Sequence, residues 1–115
     1  YSGMEDKSMK LKKLFISQPM KGKTDDEIVQ ERLDLIAEAE RLSGGHILED
    51  IDSFFTEAPK NKDNVVTEPV WWLGKSLMKL SEADVAIFGD NWQNFNGCVI
   101  EHEVCERYGI EILKD

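Results

Sequence analysis

The chain has 115 residues, enough for one domain, and its 41% hydrophobic and 32% charged residues are typical of a globular protein. No run approaches the roughly 18 consecutive apolar residues of a membrane span, and a formal net charge of −9 repels a phosphate backbone. We therefore expect no membrane partner and no nucleic acid polymer partner. The two cysteines and two histidines have no zinc-site spacing, so no metal and no cofactor is expected.

The cysteines also indicate the compartment. Cys98 and Cys105 lie on one predicted helix, where the helical rise would separate their Cα atoms by about 10 Å, too far for a disulfide. We interpret them as buried thiols in a reducing compartment. Without a signal-peptide core at the N-terminus, this favours a cytoplasmic location. Residues 1–8 lack periodicity and are interpreted as a tag or flexible arm, which leaves residues 9–115 as the domain.

An apolar strand and an amphipathic helix open the domain. Residues 11–17 predict the strand, and residues 17–23 (Ser-Gln-Pro-Met-Lys-Gly-Lys) predict a loop after it. Thr24 and Glu27 have the spacing of a capping box, so a helix should begin there. The apolar stripe that follows ends at Gly44-Gly45, which predicts the end of this helix.

The middle of the chain is more polar. Residues 46–51 predict a short second strand, at a sheet edge because of its polar content. Residues 52–67 predict a long loop with one helical turn around Phe54 and Phe55, and loops of this length are often lids or binding loops. Helical spacing returns over residues 69–80, with Pro69 placed in the first turn.

The last third carries the most informative pattern. Residues 85–88 form a short apolar run typical of a buried strand, and residues 89–97 form a turn-rich polar segment. Apolar residues then recur at helical spacing from Cys98 until Tyr108-Gly109, and residues 110–113 predict a last strand.

The alternation of strands and helices predicts the fold class. We expect a three-layer, doubly wound α/β domain of the flavodoxin or Rossmann type, with helices on both faces of a parallel sheet. The sheet should have four to five strands in the order 2-1-3-4. This order places the topological switch between the first and third strands, where such sheets bind their ligands at the carboxyl ends.

Two carboxylates follow the third strand. Glu101 lies in the first turns of the last helix, where the ionised form is favoured, so it is interpreted as a nucleophile. Asp90 lies at the exit of the strand, and sugar-hydroxyl binding, base protonation and loop capping are all open for it. Asp84 lies at the strand's entry, on the opposite edge of the sheet, and is interpreted as structural. His102 should point about 100° away from Glu101 around the helix.

The two loops at the switch supply the other candidates. In the first loop, Ser17 and Gln18 can bind a ligand with their polar groups, and Gly22 lets the backbone approach it; a plain connector is the alternative. In the second loop, Trp92 and Phe95 can stack on a base. Asn94 and Asn96 can orient a substrate.

Together these residues resemble the nucleoside 2-deoxyribosyltransferase superfamily. Its pattern of a strand ending near Asp, then Gly-x-x-x-Glu opening a helix, is matched by Asp90 and by Gly97-Cys98-Val99-Ile100-Glu101. The first loop, with its Ser-x-Pro-Met turn at Ser17 to Met20, is most similar to a small, often phage-borne branch. The family usually has Asp-Ser-Gly where this chain has Phe95-Asn96-Gly97.

The resemblance implies an enzyme that cleaves the N-glycosidic bond of a nucleoside or nucleotide, as a deoxyribosyltransferase or a hydrolase. Glu101 would form a covalent glycosyl intermediate, with Asp90 also catalytic. Ser17, Gln18, Met20, Gly22, Trp92, Asn94, Asn96 and Gly97 would bind the substrate. The implied assembly is a homodimer or a larger homo-oligomer. The alternative is a catalytically silent module that binds or sequesters a nucleotide-derived small molecule.

Overall fold

The computed structural model of the chain describes residues 11–45, 49–51 and 67–115. A parallel sheet forms its centre, with strands in the order β2-β1-β3-β4. The strands are β1 (Lys13–Ser17), β2 (Glu49–Ile51), β3 (Val85–Phe88) and β4 (Glu111–Lys114). The helices are α1 (Asp25–Leu42), α2 (Glu68–Leu80) and α3 (Asn96–Tyr108). The prediction of an α/β domain with a parallel sheet is confirmed.

Some predictions fall on residues that lie outside the described ranges. They are the arm at residues 1–8, the start of the second predicted strand at residues 46–48, and nearly all of the predicted loop, residues 52–66, with its helical turn. The described part of the second strand, Glu49–Ile51, pairs only with β1 and ends the sheet on that side.

The start of α1 is fixed by the predicted capping box. Glu27 N donates to the Thr24 hydroxyl at 3.2 Å, and Thr24 N donates to Glu27 Oε1 at 2.9 Å. Each bond satisfies a backbone N–H that the helix itself leaves without a partner. The backbone N–H of Thr24, and after it the Thr24 hydroxyl, lower the pKa of Glu27, because they favour the ionised carboxylate.

Successive side chains of each strand point to opposite faces of the sheet. Both faces are therefore apolar, and helices cover both of them. One face presents Leu14, Ile16, Val85 and Ile87 to α1, where Leu35 and Ala39 complete the cluster. The other face carries a second cluster, which α2 joins through Leu80 and α3 through Cys105. Its strand members are Phe15, Ala86 and Phe88.

The switch point lies where β1 and β3 end together. Ser17 pairs with Phe88 in register, and Gly89 N donates to Ser17 O at 2.9 Å, which extends the pairing by one residue. A Cβ atom on Gly89 would lie 3.0 Å from Pro19 Cδ, so the close approach of the two loops favours glycine here.

At the opposite edge of the sheet, Asp84 forms two hydrogen bonds with the backbone of Lys13. Lys13 N donates to Asp84 Oδ2 at 2.9 Å, and Asp84 N donates to Lys13 O at 2.9 Å. The structural interpretation of Asp84 is therefore confirmed. Both cysteines are buried and free, as predicted. Among the described helices, none is long and apolar enough to cross a membrane.

The central strand β3 is buried at every position, so its side chains should contribute strongly to the stability of the fold. Ile87 is 0% exposed between β1 and β4, so Ile87→Ala should lower the free energy of unfolding by about 2–5 kcal/mol, because it leaves a cavity. Urea denaturation measures this. The control is Leu33→Ala on α1, a position 56% exposed, which should cost less than about 0.5 kcal/mol. Equal costs at the two positions would contradict the packing.

Candidate functional site

A cavity of about 400 Å³ lies beside the end of β1 and the start of α3. Small-molecule sites usually measure roughly 300–1,000 Å³. The walls come from the loop after β1, from one face of α2, and from the start of α3 with the residue before it. The lining residues are Gln18, Pro19, Met20, Pro69, Trp72, Leu73, Ser76, Phe95, Gly97, Cys98 and Glu101. Among them Glu101 is the one acidic or basic side chain, apart from the Cys98 thiol.

Both carboxylate oxygens of Glu101 accept a hydrogen bond from a serine. The Ser17 hydroxyl donates to Oε1 at 2.6 Å, from a residue 84 positions away in the chain. The Ser76 hydroxyl donates to Oε2 at 2.5 Å, from α2. Because each oxygen has its own donor, the carboxylate is held in one orientation within an otherwise mostly apolar cavity.

Burial shifts the pKa of this carboxylate. Glu101 is 7% exposed, and its burial raises the pKa above the ordinary value, while the bonds from Ser17 and Ser76 act in the opposite direction. The sequence led us to expect a fully ionised carboxylate at a helix N-terminus. The shift goes the other way, because Glu101 is buried and lies in the second turn of α3, where the helix dipole is weak: its pKa is raised rather than lowered.

The cysteine in the cavity wall is protonated at neutral pH. Burial raises the pKa of the Cys98 thiol, and the nearby charge of Glu101 acts in the same direction, while Ser17 and Lys23 oppose them. Burial raises the pKa of Cys105, which lies in the core, to about 11. Neither thiol is activated as a nucleophile, so Glu101 remains the candidate.

Five of the predicted residues meet at this cavity besides Glu101. Gln18, Met20, Phe95 and Gly97 line it, and Ser17 supports Glu101 without being part of the lining. Gln18 Nε2 donates to Ile28 O at 2.7 Å, which ties the first loop to α1. Gln18 Oε1 has no hydrogen-bond partner among the residues that the structure describes.

Three other predicted residues lie outside the lining. Gly22 has a positive φ of 82° in the turn before α1, where it shapes the loop rather than contacting the cavity. Asn94 and Asn96 are exposed near the start of α3. Their neighbour Phe95 is the residue of this segment that does line the cavity.

The structure does not bring Asp90 to Glu101. Asp90 is exposed and lines a second cavity of about 170 Å³, together with Glu31, Asp34 and Glu38 of α1. The reason is the direction of the chain after β3, since Asp90 turns towards the face covered by α1, whereas α3 packs on the other face. Within the described residues, no group of acidic, histidine and cysteine side chains could hold a metal ion.

Trp92 packs against His102 instead of lining the cavity. The two rings are stacked, with centroids 4.1 Å apart and an interplanar angle of 10°. Trp92 Nε1 donates to Asp115 O at 3.3 Å, and His102 Nε2 lies 2.7 Å from Asp115 Oδ2. His102 therefore holds the end of the described chain against α3, and its side chain leaves that helix in a direction different from that of Glu101.

The sequence did not lead us to the contribution of α2. Pro69, Trp72, Leu73 and Ser76 line the cavity, and their spacing of i, i+3, i+4 and i+7 is that of one helical face. This spacing was a usable signal. It does not say what the face contacts, because that depends on how α2 is rotated against α3.

The buried carboxylate should make stability depend on pH. The folded protein keeps a proton on Glu101 to a higher pH than the unfolded chain does, so stability falls as pH rises from the unfolded-state pKa to the folded-state pKa. Glu101→Gln removes this cost while keeping the size of the side chain. Its melting temperature should exceed that of the wild type at about pH 8, and the difference should shrink towards about pH 4.

The matched control is Glu103→Gln on the same helix, where the exposed carboxylate pairs with Arg107 at 2.7 Å. This variant should show no pH-dependent gain in melting temperature. A wild type that is more stable than Glu101→Gln at the higher pH would show that Glu101 is not buried as described.

Comparison with known proteins adds nothing to this geometry. No family model, no curated protein and no solved structure matches the chain.

Proposed function

We propose that the protein is an enzyme that cleaves the N-glycosidic bond of a nucleoside or nucleotide, with Glu101 as the nucleophile. The observation that carries the proposal is a buried carboxylate, held at both oxygens by serines, in a cavity of suitable size at the switch point of the sheet. A structural glutamate in an apolar environment would be costly to keep, and such costs are concentrated at functional sites.

The walls of the cavity suit a nucleoside. Trp72 and Phe95 offer aromatic surface for stacking on a base. Gln18 lies in the same wall, and its buried Oε1 has no hydrogen-bond partner among the described residues. The ionised Glu101 attacks the anomeric carbon and the base leaves. Water or a second base then releases the sugar from the glycosyl ester, so that one difficult displacement becomes two easier ones.

The proposal extends to the class of the fold. We assign the domain to the doubly wound, flavodoxin-like class. The helices on both faces of the sheet support this assignment, as does the crossover that places β3 beside β1. In that class the carboxyl ends of the two switch strands form the ligand site, which agrees with the position of the cavity.

A binding module without turnover is the second candidate. Two observations favour it: Asp90 lies at a different cavity, and Asn96 occupies the place of the serine that the resemblance would require. Among the described residues, the cavity wall carries no second carboxyl group that could protonate a departing base. Such a module would use the same walls to bind a nucleotide-derived molecule.

The test is incubation of the purified protein with a panel of nucleosides and nucleotides, with and without an acceptor base. Release or exchange of the base supports the enzyme, whereas binding by calorimetry without turnover supports the module. In the first case Glu101→Gln should reduce turnover by at least about a thousandfold while ligand binding is largely kept, because the neutral amide cannot form the ester.

Two control variants accompany this experiment. Glu103→Gln should keep full activity, and His102→Ala should keep most of it, because the His102 ring packs on Trp92 rather than at the cavity. His102→Ala should lower the melting temperature instead. Full turnover in Glu101→Gln, or its loss in a folded His102→Ala protein, would show that the nucleophile is misassigned.

We also propose a homodimer or larger homo-oligomer formed through α2. Among the described helices α2 is the most apolar, but only Leu80 is buried, and Val70 and Met78 are each 62% exposed. A cytoplasmic location is proposed with it, on the two free cysteines.

Light scattering should give at least twice the monomer mass of 13.2 kDa at micromolar concentration. Introducing charge with Val70→Lys and Met78→Glu should reduce it to the monomer mass, because a charged side chain cannot be buried in an apolar interface without a partner. Val29→Lys on α1, a position 54% exposed, is the control. A monomeric wild type would contradict the proposal.

A further inference from the structure

The two oxygens of Glu101 are in different environments. Ser17, which donates to Oε1, is 1% exposed at the end of β1 and does not line the cavity. Ser76, which donates to Oε2, lines the cavity and is only partly buried. Oε1 is thus held from the end of β1, and Oε2 is held from the wall of the cavity.

We propose that Oε2 is the attacking atom, that Ser17 holds Oε1 throughout the reaction, and that Ser76 gives up its bond to Oε2 as the ester forms. Both serines are positioning residues, since each acts through Glu101. This inference rests on the proposed function and goes further, because it assigns different roles to two hydroxyls that look equivalent in the resting site.

The covalent step assigns every electron pair. A lone pair of Oε2 forms the bond to the anomeric carbon, and the bond from that carbon to the base nitrogen breaks. The bonding pair leaves with the base, which takes a proton from water. In the second step, water or an acceptor base attacks the same carbon and loses a proton to the solvent, which neutralises the hydroxide left by the first step. The bonding pair returns to Oε2, and the carboxylate is restored with its charge.

The hydrogen bonds change differently during this step. Once Oε2 carries the sugar it becomes the single-bonded ester oxygen, a much weaker acceptor than a carboxylate oxygen. Oε1 becomes the carbonyl oxygen and continues to accept from Ser17. The bond from Ser76 therefore stabilises the resting carboxylate more than the transition state, whereas the bond from Ser17 is kept in both.

The two serine variants should share their effect on the pH–rate profile and differ in their effect on kcat. Both serine bonds favour the ionised carboxylate, so Ser17→Ala and Ser76→Ala should each move the acidic limb of the pH–rate profile to higher pH. On the plateau above that limb, Ser76→Ala should keep kcat within about threefold of wild type, and Ser17→Ala should lose at least about tenfold. The control is Ser43→Ala, whose hydroxyl donates to Glu40 O at the end of α1.

A trapped intermediate tests the same assignment without any variant. A nucleoside with fluorine at the 2-position of the sugar should slow release of the ester, and the crystal structure of the trapped wild-type protein would show which oxygen carries the sugar. The expected result is the sugar on the oxygen next to Ser76, with Ser17 still donating to the carbonyl oxygen.

The remaining outcomes overturn the proposal in distinguishable ways. Plateau losses in the reverse order, or a sugar on the oxygen next to Ser17, would assign the attack to Oε1. Equal losses in both variants with an unmoved acidic limb would mean that the serines only support the fold. A wild-type protein with no turnover on the nucleoside and nucleotide panel would overturn the proposed function, and this inference with it.

Discussion

The hydrogen bond from Ser17 to Glu101 joins the parts of the molecule that make a site. It connects the end of β1 to α3, so it forms only when β1 and β3 are paired in register and α3 packs back onto the sheet. With Ser76 donating to the second oxygen, the carboxylate gains two partners in place of the water that burial removes. Without these hydroxyls the ionised form would be still less favourable.

The burial of Glu101 affects both the stability of the fold and the properties of its carboxylate. The buried carboxylate of Glu101 lowers the stability of the folded state near neutral pH, because its pKa is higher in the folded protein than in the unfolded chain. A carboxylate that is poorly solvated and fixed in one orientation is in turn a better positioned nucleophile than a flexible one in water. Both effects follow from the burial of Glu101 among residues of the first loop, α2 and α3.

The division of the acidic residues between the two faces of the sheet limits the mechanisms that are possible. Glu101 belongs to the face covered by α2 and α3, while Asp90 lies among the acidic side chains of α1. A reaction at the first cavity therefore has one carboxylate among the described residues, which is enough for nucleophilic displacement. In the proposed reaction, water then supplies the proton to the leaving base.

Much of the fold could be predicted from the sequence, because its signals are local. Thr24 and Glu27 fix the start of α1 through bonds within a single turn, and the apolar run Val85–Phe88 is buried at every position. Alternation of such strands with helices favours a parallel sheet, and the resulting switch point brings Ser17 and Glu101 to the same edge. The residue type and order alone were sufficient for this part of the site.

The rest was decided by tertiary packing. Ser76 reaches Glu101 because α2 is rotated with that face towards α3, and Asp90 is lost to the site because the chain turns towards α1 after β3. The raised pKa of Glu101 follows from burial by residues from three separate segments. Local sequence determines which residues share a helical face or a strand end. It does not determine what that face contacts, because the contact depends on the relative rotation of elements that are distant in the chain.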